Sequence, residues 1–300
     1  MVTRVTVGTP LDEATEHYLL NLENRRDRSP NTVTAYRGAL RQFGLFLADQ
    51  GMPTEVESIK REHIESWLDD IKARGQAPAT RQSRLAALKS FFGFLVREDY
   101  IQGRSPVEKI EGIRQPERLT PIMTDSDIEA MRRVMRGDIR ARAIFELLLD
   151  SGIRRAELAA LTVDDVDQKE RIIHVRHGKG DKERLTRFRR DTAEILFKYK
   201  AWRKKHPAAA TPWLWLGHRG RLTDAGIEEL LKAKAREAGV EGFHMHRLRH
   251  TFAHRAKTRG MSMEGIMASG GWSSYSMMSR YGKSAAQMRA LEEYDRIFDE

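Results

Sequence analysis

Apolar residues recur at helical spacing through the first hundred residues, and no two-residue alternation occurs before about residue 165. A chain patterned this way begins with helices, not with a sheet. In "SPNTVTAYRGALRQFGLFLADQG", Tyr36, Leu40, Phe43 and Leu47 form one stripe; Ser29 or Asn31 can cap the helix and Gly51 can end it. "KREHIESWLDDIKARG" turns Ile64, Trp67, Leu68 and Ile71 inward. "APATRQSRLAALKSFFGFLVREDYI" does the same with Leu85, Leu88, Phe91, Phe92 and Leu95, and "DEATEHYLLNLE" supplies a fourth helix near the start. These segments make a small all-helical domain.

The prolines and the glycines Gly103 and Gly112 of "GRSPVEKIEGIRQPERLTP" break the periodicity over residues 103–121. Its charges suit an exposed linker. The expected division is a helical domain over 1–108, a linker over 109–121 and a second domain over 122–300. Helices resume at "TDSDIEAMRRVM" and "IRARAIFELLLDSGI". The only clear strand pair follows, "RIIHVRH" and "KERLTRFRR", with "GKGD" as the turn between them. Later helices are "DTAEILFKYKAWRKK", "TDAGIEELLKAKAREAG", "MHRLRHTFAHRAKTRG" and "MEGIMASG". The closing segment "SAAQMRALEEYDRIFDE" carries a stripe of Met288, Leu291, Tyr294, Ile297 and Phe298. The expected fold class is mainly α: an all-helical N-terminal domain, then a mostly helical α+β domain with a small antiparallel sheet.

Charge narrows the partners. The chain carries 53 Lys and Arg against 43 Asp and Glu, a net charge of +10. Such an excess favours a polyanion, nucleic acid before membrane, over the plainer alternative of a soluble basic surface. There is no cysteine, which excludes disulfides, Cys-ligated zinc, iron–sulfur clusters and a thiol nucleophile. No apolar run approaches a membrane span and the N-terminus lacks a signal-peptide core, so the expected compartment is the cytoplasm.

Several short motifs could carry chemistry. In "SGIRRAELAAL", Arg154 and Glu157 stand three apart on one helix face, so the carboxylate can hold the arginine fork. A surface ion pair is the alternative, and Arg155 points elsewhere. In "HMHRLRHTFAH", His246, Arg249 and His250 share a face, with Leu248 and Phe252 packing opposite. Arginine offers paired donors to phosphate oxygens, and histidine moves a proton near neutral pH. A plain basic, DNA-facing helix is the alternative. The spacing of His246, His250 and His254, with His244 close by, also resembles a zinc ladder. The base Glu of H-E-x-x-H is missing, however, and Arg249 among the ligands would repel a cation. Lys179 and Lys182 occupy or flank the hairpin turn, either as solvated turn lysines or as a general acid reaching into a groove. "GKG" is no phosphate-binding Walker loop.

Two arginines, a lysine, histidines and a late tyrosine fit metal-free phosphoryl transfer. Arginines neutralise the equatorial oxygens and a phenol attacks phosphorus. The phenol, with an ordinary pKa near 10, needs a proton acceptor or a positive pocket, and His246 is the obvious helper. Either Tyr275 or Tyr281 in "GWSSYSMMSRYGKS" could be that phenol, or both could be packing residues.

Taken together and in order, "SGIRRAEL", "HGKGDKER", "HRLRH" and "GGWSSYSMMSRYG" resemble the motifs of the tyrosine recombinases, the phage-integrase-type site-specific recombinases. The resemblance covers almost the whole chain, and the first domain looks like the family's core-binding domain. It implies Arg154 as the first catalytic arginine and Lys179 as the lysine that protonates the leaving 5′ oxygen. It implies His246 and Arg249 as the H-x-x-R pair, Tyr281 as the nucleophile, and Glu157 and His250 as supporting residues. Tyr275 is then a packing or DNA-contact residue. Trp272 departs from the histidine that many members carry there. Its indole N–H can donate to a phosphate oxygen but cannot shuttle a proton, and its ring can buttress the tyrosine helix.

The implied activity is cleavage and rejoining of duplex DNA through a 3′-phosphotyrosyl intermediate, with no cofactor, ATP or metal in the step. The implied assembly is four protomers on two DNA sites, the last helix docking in cis or on a neighbour. Arg81, Arg84 and Lys89 of the first domain, with Lys182, are the expected DNA contacts. The alternatives are a non-catalytic sequence-specific DNA-binding protein or a type IB topoisomerase-like enzyme.

Overall fold

The computed structural model describes residues 8–25, 30–114, 121–176, 183–272, 294 and 297–298. The chain divides into two compact units, Met1–Glu117 and Arg118–Glu300. Among the described residues it is mainly helical in both, with its sheets confined to the second.

The first unit is built from α1 (Leu11–Arg25), α2 (Pro30–Asp49), α3 (Arg61–Ala73) and α4 (Pro78–Arg97). Most of the stripes read from the sequence become its core: Leu40, Phe43, Leu47, Ile64, Trp67, Ile71, Leu85, Leu88, Phe91, Phe92 and Leu95 are buried, while Tyr36 and Leu68 are partly buried against them. Tyr18 of α1 lies edge-on to Phe91, their centroids 5.5 Å apart, and its hydroxyl donates to Ser90 Oγ at 2.6 Å. Asn31 does not cap α2, because that helix already starts at Pro30, a residue whose fixed φ suits a first turn. Ser29 lies outside the described residues.

Part of the expected linker is not exposed. Val107 and Ile110 are buried in the first core. The Lys89 amine donates to the Ile110 carbonyl at 2.5 Å, and Gln82 Oε1 accepts from the Ile113 N–H at 2.6 Å. The apolar residues are what outweigh the charges around them: burying each removes apolar area from water, while Glu108, Lys109 and Glu111 stay outside.

The second unit opens with α5 (Asp125–Val134), α6 (Ile139–Ser151) and the short α7 (Arg155–Ala160). A three-stranded antiparallel sheet follows, ordered β1 (Val166–Asp167), β2 (Ile172–Val175), β3 (Arg184–Arg187). After α8 (Arg190–Arg203) comes a two-stranded ribbon, β4 (Leu216–Gly217) and β5 (Gly220–Arg221). Then come α9 (Asp224–Glu237), α10 (Met245–Thr258) and α11 (Met263–Gly270). One large core takes in Ile144, Phe145, Leu148, Leu158, Ile173, Leu196, Leu231 and Leu248. A small satellite joins Phe252, Ala253, Ile266 and Trp272, between α10 and the end of α11. Among the described residues, no helix is long and apolar enough to cross a membrane.

Candidate active site

The site is assembled where the two helix ends of α6 and α11 meet α10. Each ends on a glycine in the left-handed region, Gly152 at φ +59° and Gly271 at φ +70°. The last carbonyls of a helix lack intrahelical partners and carry the negative end of its dipole. Arginines take them. Arg249 Nη1 donates to the Gly152 carbonyl and to the Gly270 carbonyl. Arg154 Nη2 donates to the Gly271 carbonyl at 2.5 Å. Two arginines 95 positions apart in sequence thus reach neighbouring carbonyls of one turn.

These glycines also make room. A Cβ on Gly152 would lie 2.2 Å from the Phe252 ring, and one on Gly270 would lie 1.9 Å from the Trp272 ring. Trp272 is only 6% exposed. Its ring packs parallel to Phe252, and the Arg249 guanidinium sits 3.7 Å from its centroid, in cation–π contact. The indole therefore props the arginine from below.

Arg154 is the residue just before α7, extended at φ −74°, ψ 151°. Glu157 holds it twice: one carboxylate oxygen accepts from the Arg154 backbone N–H at 2.7 Å, the other from Nη1 at 2.7 Å. Arg184 of β3 clasps the same carboxylate with both Nη groups, at 3.0 and 2.6 Å. Burial alone would raise the Glu157 pKa; the bonds from Arg184 and the Arg154 backbone outweigh it and hold the group below the usual carboxylate value. Arg155 faces away, paired with Asp224 at 3.0 Å and with Glu228.

On α10, Arg249 is buried, His250 is half-buried and His246 is exposed, with the two imidazoles stacked 6.1 Å apart. Although much of its ring meets solvent, the desolvation of the rest, then Arg249 and its cationic neighbours, lowers the His246 pKa, which favours the neutral ring that can accept a proton. His250 is pushed down to about 4, first by burial and then by the adjoining histidines and Arg249. Arg154 and Arg155 both figure among the charges acting on His246, which places that ring in the same positive field.

The structure thus brings together Arg154, Glu157, Arg249 and Trp272, with His246 in the field of both arginines and His250 stacked on His246. Lys179, Lys182, Tyr275 and Tyr281 lie outside the described residues. In the first unit, Arg81 Nε donates to the Gln76 carbonyl at 3.2 Å and Arg84 lies 5.9 Å from the Trp67 ring centroid. With Lys89 on the Ile110 carbonyl, all three have partners inside that unit. Among the described residues no group of three or more His, Asp or Glu is placed to hold a metal ion.

Arg184 escaped the sequence reading. A signal existed: it stands two residues before Thr186, opposite Val175, on the face of the ribbon where Thr186, Val175 and Ile173 are buried. An arginine in that alternation needs an internal acceptor.

Comparison with known proteins gives the family. Residues 121–288 match the phage integrase family, and residues 15–99 match the phage integrase N-terminal SAM-like domain. Tyrosine recombinase XerC of Roseiflexus castenholzii is 32% identical over 281 residues, spanning 90% of this chain and 88% of the relative. Tyrosine recombinase XerC of Lacticaseibacillus casei is 30% identical over 270 residues, 87% of this chain and 90% of its own. In fold, the chain is similar to XerH site-specific recombinase bound to a palindromic difH substrate, with a TM-score of 0.74 at 19% identity over 99% of this chain and 92% of that one. It is also similar to a lambda integrase tetramer bound to a Holliday junction, with a TM-score of 0.72 at 17% identity over 91% of this chain and 77% of that one. The chain belongs to the phage integrase family of tyrosine recombinases.

Proposed function

We propose that this recombinase cleaves and rejoins duplex DNA at specific sites through a covalent bond between Tyr281 and a 3′ phosphate. The observation that carries the reading is the convergence of Arg154 and Arg249 on the Gly270–Gly271 turn, directly ahead of the segment that holds Tyr281. Two guanidiniums so close together match two non-bridging phosphate oxygens, whose charge grows during phosphoryl transfer. In the proposed step the Tyr281 oxygen forms a bond to phosphorus and the bond from phosphorus to the 5′ oxygen breaks. The phenolic proton passes to neutral His246, and Lys179 protonates the departing 5′ oxygen. One phosphodiester is exchanged for another, so rejoining needs only the 5′ hydroxyl of a second strand and no ATP.

Assembly follows from the need for that second strand. Similar solved structures include a tetramer on a Holliday junction, which supports four protomers pairing two sites here. Tyr294, Ile297 and Phe298 are 57%, 64% and 67% exposed, an apolar group suited to docking on a neighbouring protomer. Arg81, Arg84, Lys89 and Lys182 are proposed phosphate contacts, the first three by exchanging their present partners for DNA.

A nicked duplex that loses its short 5′ fragment on cleavage traps the adduct. Incubated in EDTA with such duplexes drawn from the DNA around its own gene, the protein is expected to form an SDS-stable complex that maps to one nucleotide. Binding without any adduct would point instead to a non-catalytic DNA-binding protein.

A further inference from the structure

Arg184 does more than neutralise a carboxylate. Its side chain is 11% exposed. Both Nη groups are spent on Glu157, and Nε donates to the Ser269 carbonyl at 2.9 Å. One rigid planar group therefore ties three elements: strand β3, the start of α7 that carries Arg154, and the last turn of α11. Arg184, Arg249 and Arg154 take the carbonyls of Ser269, Gly270 and Gly271 in succession. The contact is close as well as polar, because a Cβ on Gly271 would come 2.9 Å from Arg184 Cζ. A lysine in its place could offer charge but not this fork.

We propose that Arg184 is a positioning residue for strand cleavage. Through Glu157 it fixes the Arg154 guanidinium in the phosphate site, and through Ser269 it fixes the turn from which the Tyr281 segment departs. The proposal rests on the recombinase reading above. Arg184 acts through Arg154, so its loss slows the step in which charge on the phosphate must be stabilised and leaves DNA affinity nearly intact. A side chain that merely supported the fold would lower both, and would do so whatever the chemistry of the phosphate.

The test uses the nicked duplex mapped above, made once with an ordinary scissile phosphate and once with a neutral methylphosphonate. The full-length variants are Arg184→Lys, which keeps a cation beside the buried Glu157 carboxylate, and Arg184→Gln, which does not. Adduct formation by Arg184→Lys on the phosphate duplex is expected to slow by roughly tenfold or more, with DNA affinity within about twofold of the parent. On the methylphosphonate, where less charge needs neutralising, the loss is expected to shrink to about threefold or less. Comparing the two duplexes within one preparation cancels any loss of folded protein, so a poorly folding Arg184→Gln still reads out through Arg184→Lys. Parent-like rates in both variants, or an equal loss on both duplexes, would overturn the positioning role. No adduct from the parent on the phosphate duplex would instead overturn the recombinase reading beneath it.

Discussion

At the scale of single residues, charge and burial are set against each other and the outcome is specific. Glu157 is buried, yet four hydrogen bonds from two arginines keep it ionised. His250 goes the other way: burial and positive neighbours keep it neutral, with its pKa pushed down to about 4. The folded value lies below the unfolded one, so the unfolded chain takes up the proton first as pH falls. Stability is therefore expected to drop between about pH 6.5 and about pH 4. His250→Asn should flatten part of that slope, read as the difference in urea midpoint between about pH 7.5 and about pH 5. An unchanged slope would mean that His250 titrates normally in the folded protein. The residue scale is also where the sequence was least complete. Arg154, Glu157, His246 and Arg249 declare themselves by helical spacing, a local relation. Arg184 meets Glu157 across 27 positions and Ser269 across 85, and only the alternation of β3 hinted that it faced inward.

At the scale of elements, the helices were legible because each buries one long stripe, and the stripes of α2, α3 and α4 are found in the core except for Tyr36 and Leu68, which are only partly buried against it. The pairing of β2 with β3 was legible for the same reason at period two, while the expected turn between them lies outside the described residues. Strands β1, β4 and β5 were not, since two residues each are too few for any alternation to register. The end of α2 was legible at Gly51, but tertiary partners decide how much each terminal glycine matters. Gly51 and Gly152 both follow a helix with positive φ, 62° and 59°, but only Gly152 is enclosed by a ring. Gly51→Ala is expected to cost about 1 kcal/mol, the strain of the left-handed backbone alone. Gly152→Ala adds a collision with Phe252 and is expected to cost at least about 2 kcal/mol, with loss of adduct formation as Arg249 loses its carbonyl. Urea unfolding followed in each unit's own transition measures both. Equal costs would mean that the Phe252 contact yields freely.

At the scale of the whole molecule, a net charge of +10 is spread over two units that each have a core of their own. The helical first unit and mixed second unit were readable from where the strand pattern starts. The boundary was less so, because Ile110 looks like a linker residue until its burial is seen. DNA affinity should fall steeply with added salt, as counterions compete for each phosphate contact. A chain ending at residue 285, which lacks Tyr294, Ile297 and Phe298, should still bind one site but fail to pair two, as read by band-shift of synaptic complexes. Normal pairing by that truncation would remove the docking role of the last segment.

The most direct measurement is covalent capture on the nicked duplex with two single-atom changes. Tyr281→Phe should bind DNA with parental affinity and form no SDS-stable adduct, while Tyr275→Phe should form it. An adduct that persists in Tyr281→Phe and vanishes in Tyr275→Phe would contradict the account.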